Sequence, residues 1–352
     1  MTKINRTIKF SDALNEAAFQ LMKENEKVLL MGLGVTDPIG IFGTTKNLKD
    51  SFPEQVIETP TAENTTMGVA IGSSLLGVRP IITHQRVEFA LLAIEQIVNQ
   101  AAKWHYMTNG MYSVPIVIRL IVGRGWGQGP QHSQSLDSWF AHIPGLKVVV
   151  PSNAYEAKGM LISATRDNNP VIMIEHRWLH NTLSYVPLEM FEVSLFGSKV
   201  VHSGHQITLV TYSYMVSEAI IAAQILETHG IEIEVIDIRC HRPLDIETIK
   251  VSLQKTKKLI TLDNSWIEFS IGSEVISKIV ERDVSLLSKN PIRLGIADTP
   301  IPSTRSLANS VYPGQKHIVE AVASLLEINL TELIKNLPDT VDVPNESFSG
   351  PF

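Results

Sequence analysis

Short apolar runs alternate along this chain with segments whose apolar positions recur at helical spacing. Residues 11–26 place Ala13, Leu14, Ala17, Ala18, Leu21 and Met22 on one face, with Ser11 as the expected N-cap. A strand is predicted over 27–32, a small-residue helix over 64–77 and a strand over 79–84. A long helix is expected over 89–110, ended by Asn109-Gly110. The run VPIVIRLIVG at 114–123 is apolar at nearly every position, as in a parallel strand buried on both faces. LKVVVP and NPVIMIEH add two more strands before a polar loop near residue 185.

A second series starts near residue 205. Strands are predicted over 207–213, 231–239 and 258–264, with helices over 217–230, 246–256 and 270–282. Ser217 is the expected cap of the first of these helices and Gly230 its end. The alternation implies an α/β protein of two doubly wound domains. The expected division is 1–185, a connection over 186–203, a second domain over 204–335 and a loose polar tail over 336–352.

Composition narrows the function classes. A chain of 352 residues exceeds one compact core. The net charge of −6 is spread along the chain, with no basic stripe for nucleic acid. No apolar run reaches membrane-spanning length. The single cysteine, Cys240, excludes an internal disulfide framework and a cysteine-based zinc site. The amino terminus has neither an apolar signal core nor an Arg- and Ser-rich leader, so a cytoplasmic location is expected.

The densest chemistry lies over 128–152, where His132 and His142 follow a glycine-fed loop and precede a Pro-Gly turn and an apolar run. A histidine at such a strand edge can move a proton near neutral pH, or can simply shape the loop. The segment ETPTAEN supplies Glu63 before a small-residue helix. Taken alone, Glu63 is equally a carboxylate favoured by the helix dipole. His84 and Arg86 follow a strand, where ligands bind in open α/β sheets, although a local pairing with Glu88 explains them too. Phe89 reads by default as core packing. His176 and His180 stand four apart, but the preceding VIMI indicates strand and loop, which disfavours a metal site. Neither MGLGVTDPIG nor GRGWGQG fits the G-x-G-x-x-G pattern of a dinucleotide site. The glycines of the second stretch allow close backbone approach to a bulky ligand, or a tight turn.

Taken in order, TPTAENTTMGVAIGSSLLGVRPI, AIEQIVNQAAKWHYMTNG, VPIVIR, QHSQSLDSWFAHIPGLKVVVPSNAYEAKGML, RDNNPVIMIE, IDIRCHRPLDIETI and IGSEVISKI resemble the beta subunit of thiamine-diphosphate-dependent 2-oxo acid dehydrogenases, over about residues 5–325. The resemblance implies a pyrimidine-binding domain followed by a transketolase-type carboxy-terminal domain. It implies that Glu63, Gln85 and Phe89 bind the cofactor. The carboxyl of Glu63 would hydrogen-bond the aminopyrimidine and favour the tautomer that takes the thiazolium proton, and Phe89 would stack on that ring. His132 would serve the substrate carboxylate or acyl transfer to lipoamide. Magnesium and the diphosphate would belong to an alpha subunit, since the Gly-Asp-Gly motif does not occur in this sequence. An α2β2 assembly and a lipoyl acyltransferase core are the implied partners. A monovalent cation such as K+ is implied near Asp167 and Asn169.

The sequence also departs from the family. Leu33 follows Gly32 where an acidic residue is usual, and Thr83-His84-Gln85-Arg86 stands in place of Glu-x-Gln-Phe. GRGWGQGP and LDNSWIEFSIG are unusual as well. His84, Arg86, Arg124 and Trp126 together suggest a pocket for a larger polar or anionic substrate. Two other readings stand beside the dehydrogenase: a split transketolase-type transferase acting on a sugar-like substrate, and an inactive scaffold subunit.

Overall fold

The computed structural model describes residues 6–125 and 127–340. Trp126 and the tail beyond residue 340 lie outside the described residues. The chain divides into two compact units: one takes residues up to 123 with 139–195, the other 124–138 with residues from 196 on. The stretch 124–138, expected in the first domain, thus groups with the second unit.

The first unit contains α1 (Phe10–Glu24), β1 (Val28–Gly32), β2 (Val56–Glu58), α2 (Glu63–Ser74), β3 (Arg79–His84), β4 (Val117–Val122), β5 (Lys147–Val149), α3 (Ala154–Arg166) and β6 (Val171–His176). Its strands run in the order β5-β6-β4-β3-β1-β2, all parallel. Every residue of β4 and β6 is buried, which accounts for their unbroken apolar patterns. Helix α1 starts one residue before Ser11, and Ser11 caps nothing. Phe10 and Ser11 donate their N–H groups to the carbonyls of Thr182 and His180, so those free donors of the first turn are met by backbone.

The long helix expected over 89–110 is broken. It consists of a 3-10 stretch Val87–Ala93, π-type turns over Gln96–Ala101 and one α turn Trp104–Met107. The Ala102 N–H bonds the Ile97 carbonyl five residues back at 3.0 Å. Gly145 packs against this widened turn: a Cβ there would lie 1.9 Å from the Ala102 carbonyl oxygen. That contact joins residues 43 apart and has no local signature.

The second unit contains β7 (Lys199–His202), β8 (Ile207–Thr211), α4 (Met215–Glu227), β9 (Ile233–Asp237), α5 (Ile246–Thr256), β10 (Leu259–Trp266), α6 (Ile271–Asp283), β11 (Ile292–Ile296) and α7 (Gln315–Leu326). The strand order is β11-β10-β8-β9-β7, parallel except for β7. Strand β7 lies inside the expected connection, where it pairs antiparallel with β9. Ser217 is not the cap of α4, because Ser213 takes a left-handed φ of 58° and turns the chain directly into the helix at Met215. Asp245 and Ser270 do cap α5 and α6. The expected tail begins at the end of a short helix, Thr331–Asn336.

Each sheet reverses its direction of growth beside one of its inner strands. In the first, β2 lies on one side of β1 and β3 on the other; in the second, β9 and β10 flank β8 in the same way. Open α/β sheets bind ligands outside the carboxyl ends of the strands at such a reversal.

Candidate active site

A cleft opens at the reversal of the first sheet. Gly32 closes β1, where a Cβ would come within 2.6 Å of the Thr83 carbonyl oxygen at the end of β3. The loop beyond it is tied down from two sides. Gln85 donates from Nε2 to the Leu33 carbonyl at 3.0 Å. The Glu58 carboxylate accepts from the Gly34 N–H at 2.5 Å and from the Thr36 N–H and hydroxyl at 3.0 and 2.8 Å. The glycines of MGLG therefore serve a tight, anchored turn. Of the two carboxylates in ETPTAEN, Glu58 is spent on this loop, and Glu63 is left for the cleft.

Glu63 is the first residue of α2, and its cleft is shared with His84, Gln85 and Phe89. Leu33, Pro60 and Ile82 form apolar walls, and Thr59 and Thr66 add hydroxyls. The empty space, counted out to open solvent, is ≈ 360 Å³. Phe89 is half-buried in the 3-10 stretch. His84 is 6% exposed, and its Nε2 is buried without a hydrogen-bond partner. Burial pushes its pKa down to about 4, so the imidazole is neutral at pH 7. An aromatic face, a carboxyl at a helix start and an unmet ring nitrogen suit a flat, polar-edged heterocycle, as the pyrimidine end of thiamine diphosphate is.

Arg86 does not line this cleft. It is buried next to it in sequence; burial lowers its pKa, and Glu88 opposes that. Arg177, just after β6, lies 4.5 Å over the Phe42 ring. Burial, and then the charge of Arg86, bring its pKa down to about 10.

Beneath the strand ends lies an ion pair that the sequence reading did not find. Arg119 on β4 and Glu175 on β6 are fully buried and joined by two hydrogen bonds of 2.6 and 2.9 Å. His180 lies 3.5 Å from Glu175 and stacks on Phe10 at 5.7 Å. Burial alone would raise the Glu175 pKa, but Arg119 and His180 overcome it and hold the carboxyl at about 2. The available signal was an arginine inside an apolar strand run, which requires a buried partner. His176 accepts from the Trp178 N–H at 3.1 Å. Among the described residues no group of three His, Cys, Asp or Glu side chains could hold a metal.

The Asp167 side chain is already engaged. Its Oδ1 accepts from the Asn169 N–H and Nδ2 at 2.8 Å each, and its Oδ2 pairs with Lys147. Arg79 donates to the Thr165 and Asp167 carbonyls at 2.9 Å each. Arg79 thus brings a guanidinium to backbone carbonyls of the region where the resemblance implies a monovalent cation.

His132 and Arg124 belong to the second unit. His132 ends a single turn, Gly129–His132, and is half-buried. Arg124 is buried, with its guanidinium 3.8 Å over the Tyr312 ring. Gly127 and Gly129 both take φ of 70°, and a Cβ on Gly129 would meet Ser303 Oγ at 2.7 Å. The glycine loop is therefore packed against the segment around Ser303, which explains its glycines without a bulky ligand. His142 is exposed in the first unit.

Models of known families match both units. Residues 6–181 match the transketolase pyrimidine binding domain, and 197–318 match the transketolase C-terminal domain. The chain is 36% identical over 323 residues to the pyruvate dehydrogenase E1 component subunit beta, mitochondrial, of Mus musculus, covering 90% of each. It is 38% identical over 333 residues to the protein of the same name from Caenorhabditis elegans, covering 93% of this chain and 95% of that one. A solved structure described as split gene transketolase, inactive beta4 tetramer, superposes with a TM-score of 0.73 at 24% identity, covering 91% of this chain and 99% of the other; this likeness shows the fold. The chain belongs to the beta subunits of thiamine-diphosphate-dependent 2-oxo acid dehydrogenases, in the transketolase-like superfamily.

Proposed function

We propose that the chain is the beta half of a heteromeric enzyme that decarboxylates a 2-oxo acid and passes the acyl group to lipoamide. The observation that carries this is the convergence of Glu63, Gln85 and Phe89 on one cleft at the reversal of the first sheet. Thiamine diphosphate, when bound, supplies the nucleophilic carbon and the electron sink for loss of carbon dioxide. Glu63 hydrogen-bonds a ring nitrogen of the aminopyrimidine and holds the proton that sets its tautomer. Phe89 stacks on the ring, and neutral His84 offers Nε2 to its polar edge. Gln85 acts through the Leu33 loop, which it holds against the cleft. Leu33, Pro60 and Ile82 keep water from the ring. His132 is assigned to the substrate carboxylate or the acyl group.

The diphosphate and Mg2+ are assigned to an alpha subunit bearing Gly-Asp-Gly, in an α2β2 assembly that can dock on a lipoyl acyltransferase core. Apolar surface left uncovered at Val69 and Leu76, which are 57% and 85% exposed on and just after α2, supports a second chain there. The departure from the family pattern over Thr83-His84-Gln85-Arg86, with His84 lining the cleft, favours a polar or anionic 2-oxo acid over pyruvate, and comparison of kcat/KM across such acids tests this; preference for pyruvate overturns it. Arg124 is given the role of holding the glycine loop against Tyr312. We keep the cytoplasm as the proposed location, although the relatives are named mitochondrial; cell fractionation decides it. No described helix is long and apolar enough to cross a membrane.

The experiment is reconstitution with the Gly-Asp-Gly chain. Turnover should require a 2-oxo acid and a lipoyl acceptor, and Glu63→Gln should abolish it. Turnover that instead requires an aldehyde acceptor would favour the split transferase, and an inert complex would favour the scaffold.

A further inference from the structure

The second sheet has its own reversal, at the carboxyl ends of β8 and β10, and there the crevice is filled by the chain itself. The segment that follows His132 enters it. Ser135 donates from Oγ to Asp137 Oδ2 at 2.6 Å and accepts from Asn264 Nδ2 on β10 at 3.4 Å. Asp137 and Asp263 are each 1% exposed. The Tyr212 hydroxyl, just past β8, donates to Asp263 Oδ1 at 3.3 Å and lies 3.4 Å from Ser265 Oγ. The Gly272 N–H at the start of α6 donates to the same Oδ1 at 3.0 Å. The buried His241 ring meets Tyr212 edge-on at 4.3 Å. A Cβ on Gly272 would come within 2.4 Å of Asp263 Oδ2 and 2.5 Å of Thr261 Oγ1, so α6 is pressed onto this network.

The network leaves several buried polar atoms unpaired within the protein. Thr261 Oγ1, Ser213 Oγ and both His241 nitrogens are buried without a hydrogen-bond partner. Each such group weakens the fold relative to an apolar residue of the same shape. What a polar network gives in exchange is a single register: hydrogen bonds fix a segment where apolar contacts would let it slide. The loop ahead of it needs such fixing. Gly125, Gly127 and Gly129 all have left-handed φ; packing against Ser303 and Tyr312 holds the near side of His132, and Ser135 and Asp137 hold the far side.

We propose that the crevice of the second sheet is a socket that seats residues 133–137 and so positions His132, with Asp137 as the positioning residue. This deepens, and rests on, the role given above to His132. The socket uses the place where a doubly wound sheet would otherwise bind a ligand. Its function is to carry the geometry of β8 and β10 into the catalytic loop.

The test uses the reconstituted complex and compares Asp137→Ala, Asp137→Asn and Asn264→Ala with His132→Ala. Asp137→Ala should lower kcat about 100-fold, the cost of a misplaced catalytic group, while KM and the cofactor Kd stay within about twofold. Asp137→Asn keeps an acceptor for Ser135 and should lose roughly tenfold or less. Hydrogen exchange should quicken at residues 131–136 in Asp137→Ala and Asn264→Ala, with β8 and α6 still protected. Wild-type kcat in Asp137→Ala, or unchanged exchange over 131–136, overturns the socket. If His132→Ala is fully active, the role of His132 falls, and the exchange result still decides whether the socket exists.

Discussion

The two sheets share one topology at their reversals and use it in opposite ways. In the first unit the crevice stays open, lined by Glu63, His84, Gln85 and Phe89. In the second, Ser135 and Asp137 fill the crevice from within. Their electrostatics differ in the same sense. Beneath its strand ends the first unit buries its carboxylate in a pair, Glu175 with Arg119. The second buries two carboxyls whose mutual repulsion adds to the effect of burial. Burial pushes Asp137 and Asp263 up to about 6, against their hydrogen bonds, and the charge of Asp137 raises Asp263 further. A sheet that must accept a ligand has its charges settled beneath the site. A sheet that must hold a loop can tolerate groups near their titration point.

The largest effect that sharpens this contrast is on the buried pair. Arg119→Met leaves the Glu175 carboxylate uncompensated and should destabilise the first unit by about 3–5 kcal/mol. The double variant Arg119→Met, Glu175→Leu should recover most of that loss. Urea unfolding of the three proteins checks both statements. If the single variant is as stable as the wild type, the pairing does not underlie the first site.

The next effect is a dependence on pH. A carboxyl raised from 3.8 to about 6 stabilises the fold below pH 3.8 and loses that contribution as pH rises to 6. His241 works the other way. Burial holds it down at about 3, so the fold loses stability as pH falls from 6.5 toward 3. Wild-type stability therefore mixes the two, and the difference between Asp263→Asn and wild type separates them. That difference should move in favour of the variant by about 2 kcal/mol between pH 4 and pH 7. A flat difference, measured by denaturation at each pH, contradicts the account of the second crevice. In the first unit Glu175, held at about 2, acts oppositely: its contribution is full above pH 4.5 and is lost as pH falls toward 2.

The smallest effect is at Phe89. Removing its ring face should weaken cofactor affinity by about 1 kcal/mol, roughly fivefold, in Phe89→Ala. Phe89→Leu should lie between, and calorimetric titration of the reconstituted complex measures both. An unchanged Kd would take Phe89 out of the ring stack.

Much of this was legible in the sequence because its signals are local. The apolar runs of β4 and β6 marked a parallel sheet, and Glu63, Phe89 and QHSQS stand in contiguous segments that carry the family resemblance. What escaped was made of distant partners. Arg119 meets Glu175 across 56 residues, Asp137 shares its crevice with residues 212, 241 and 263, and the widened turn of the broken helix packs against Gly145. The cap placed at Ser11 failed for the same reason, because remote backbone carbonyls meet that helix start; the one at Ser217 failed to a local left-handed turn at Ser213.

The central claim is that the Glu63 carboxyl sets the reactivity of the cofactor's ring. The most direct measurement is the rate at which the thiazolium proton exchanges with deuterated solvent in the reconstituted complex, for wild type and Glu63→Gln. With cofactor bound to both, the variant should exchange slower by on the order of 10²–10⁴-fold. Exchange at the wild-type rate in the variant would contradict the account.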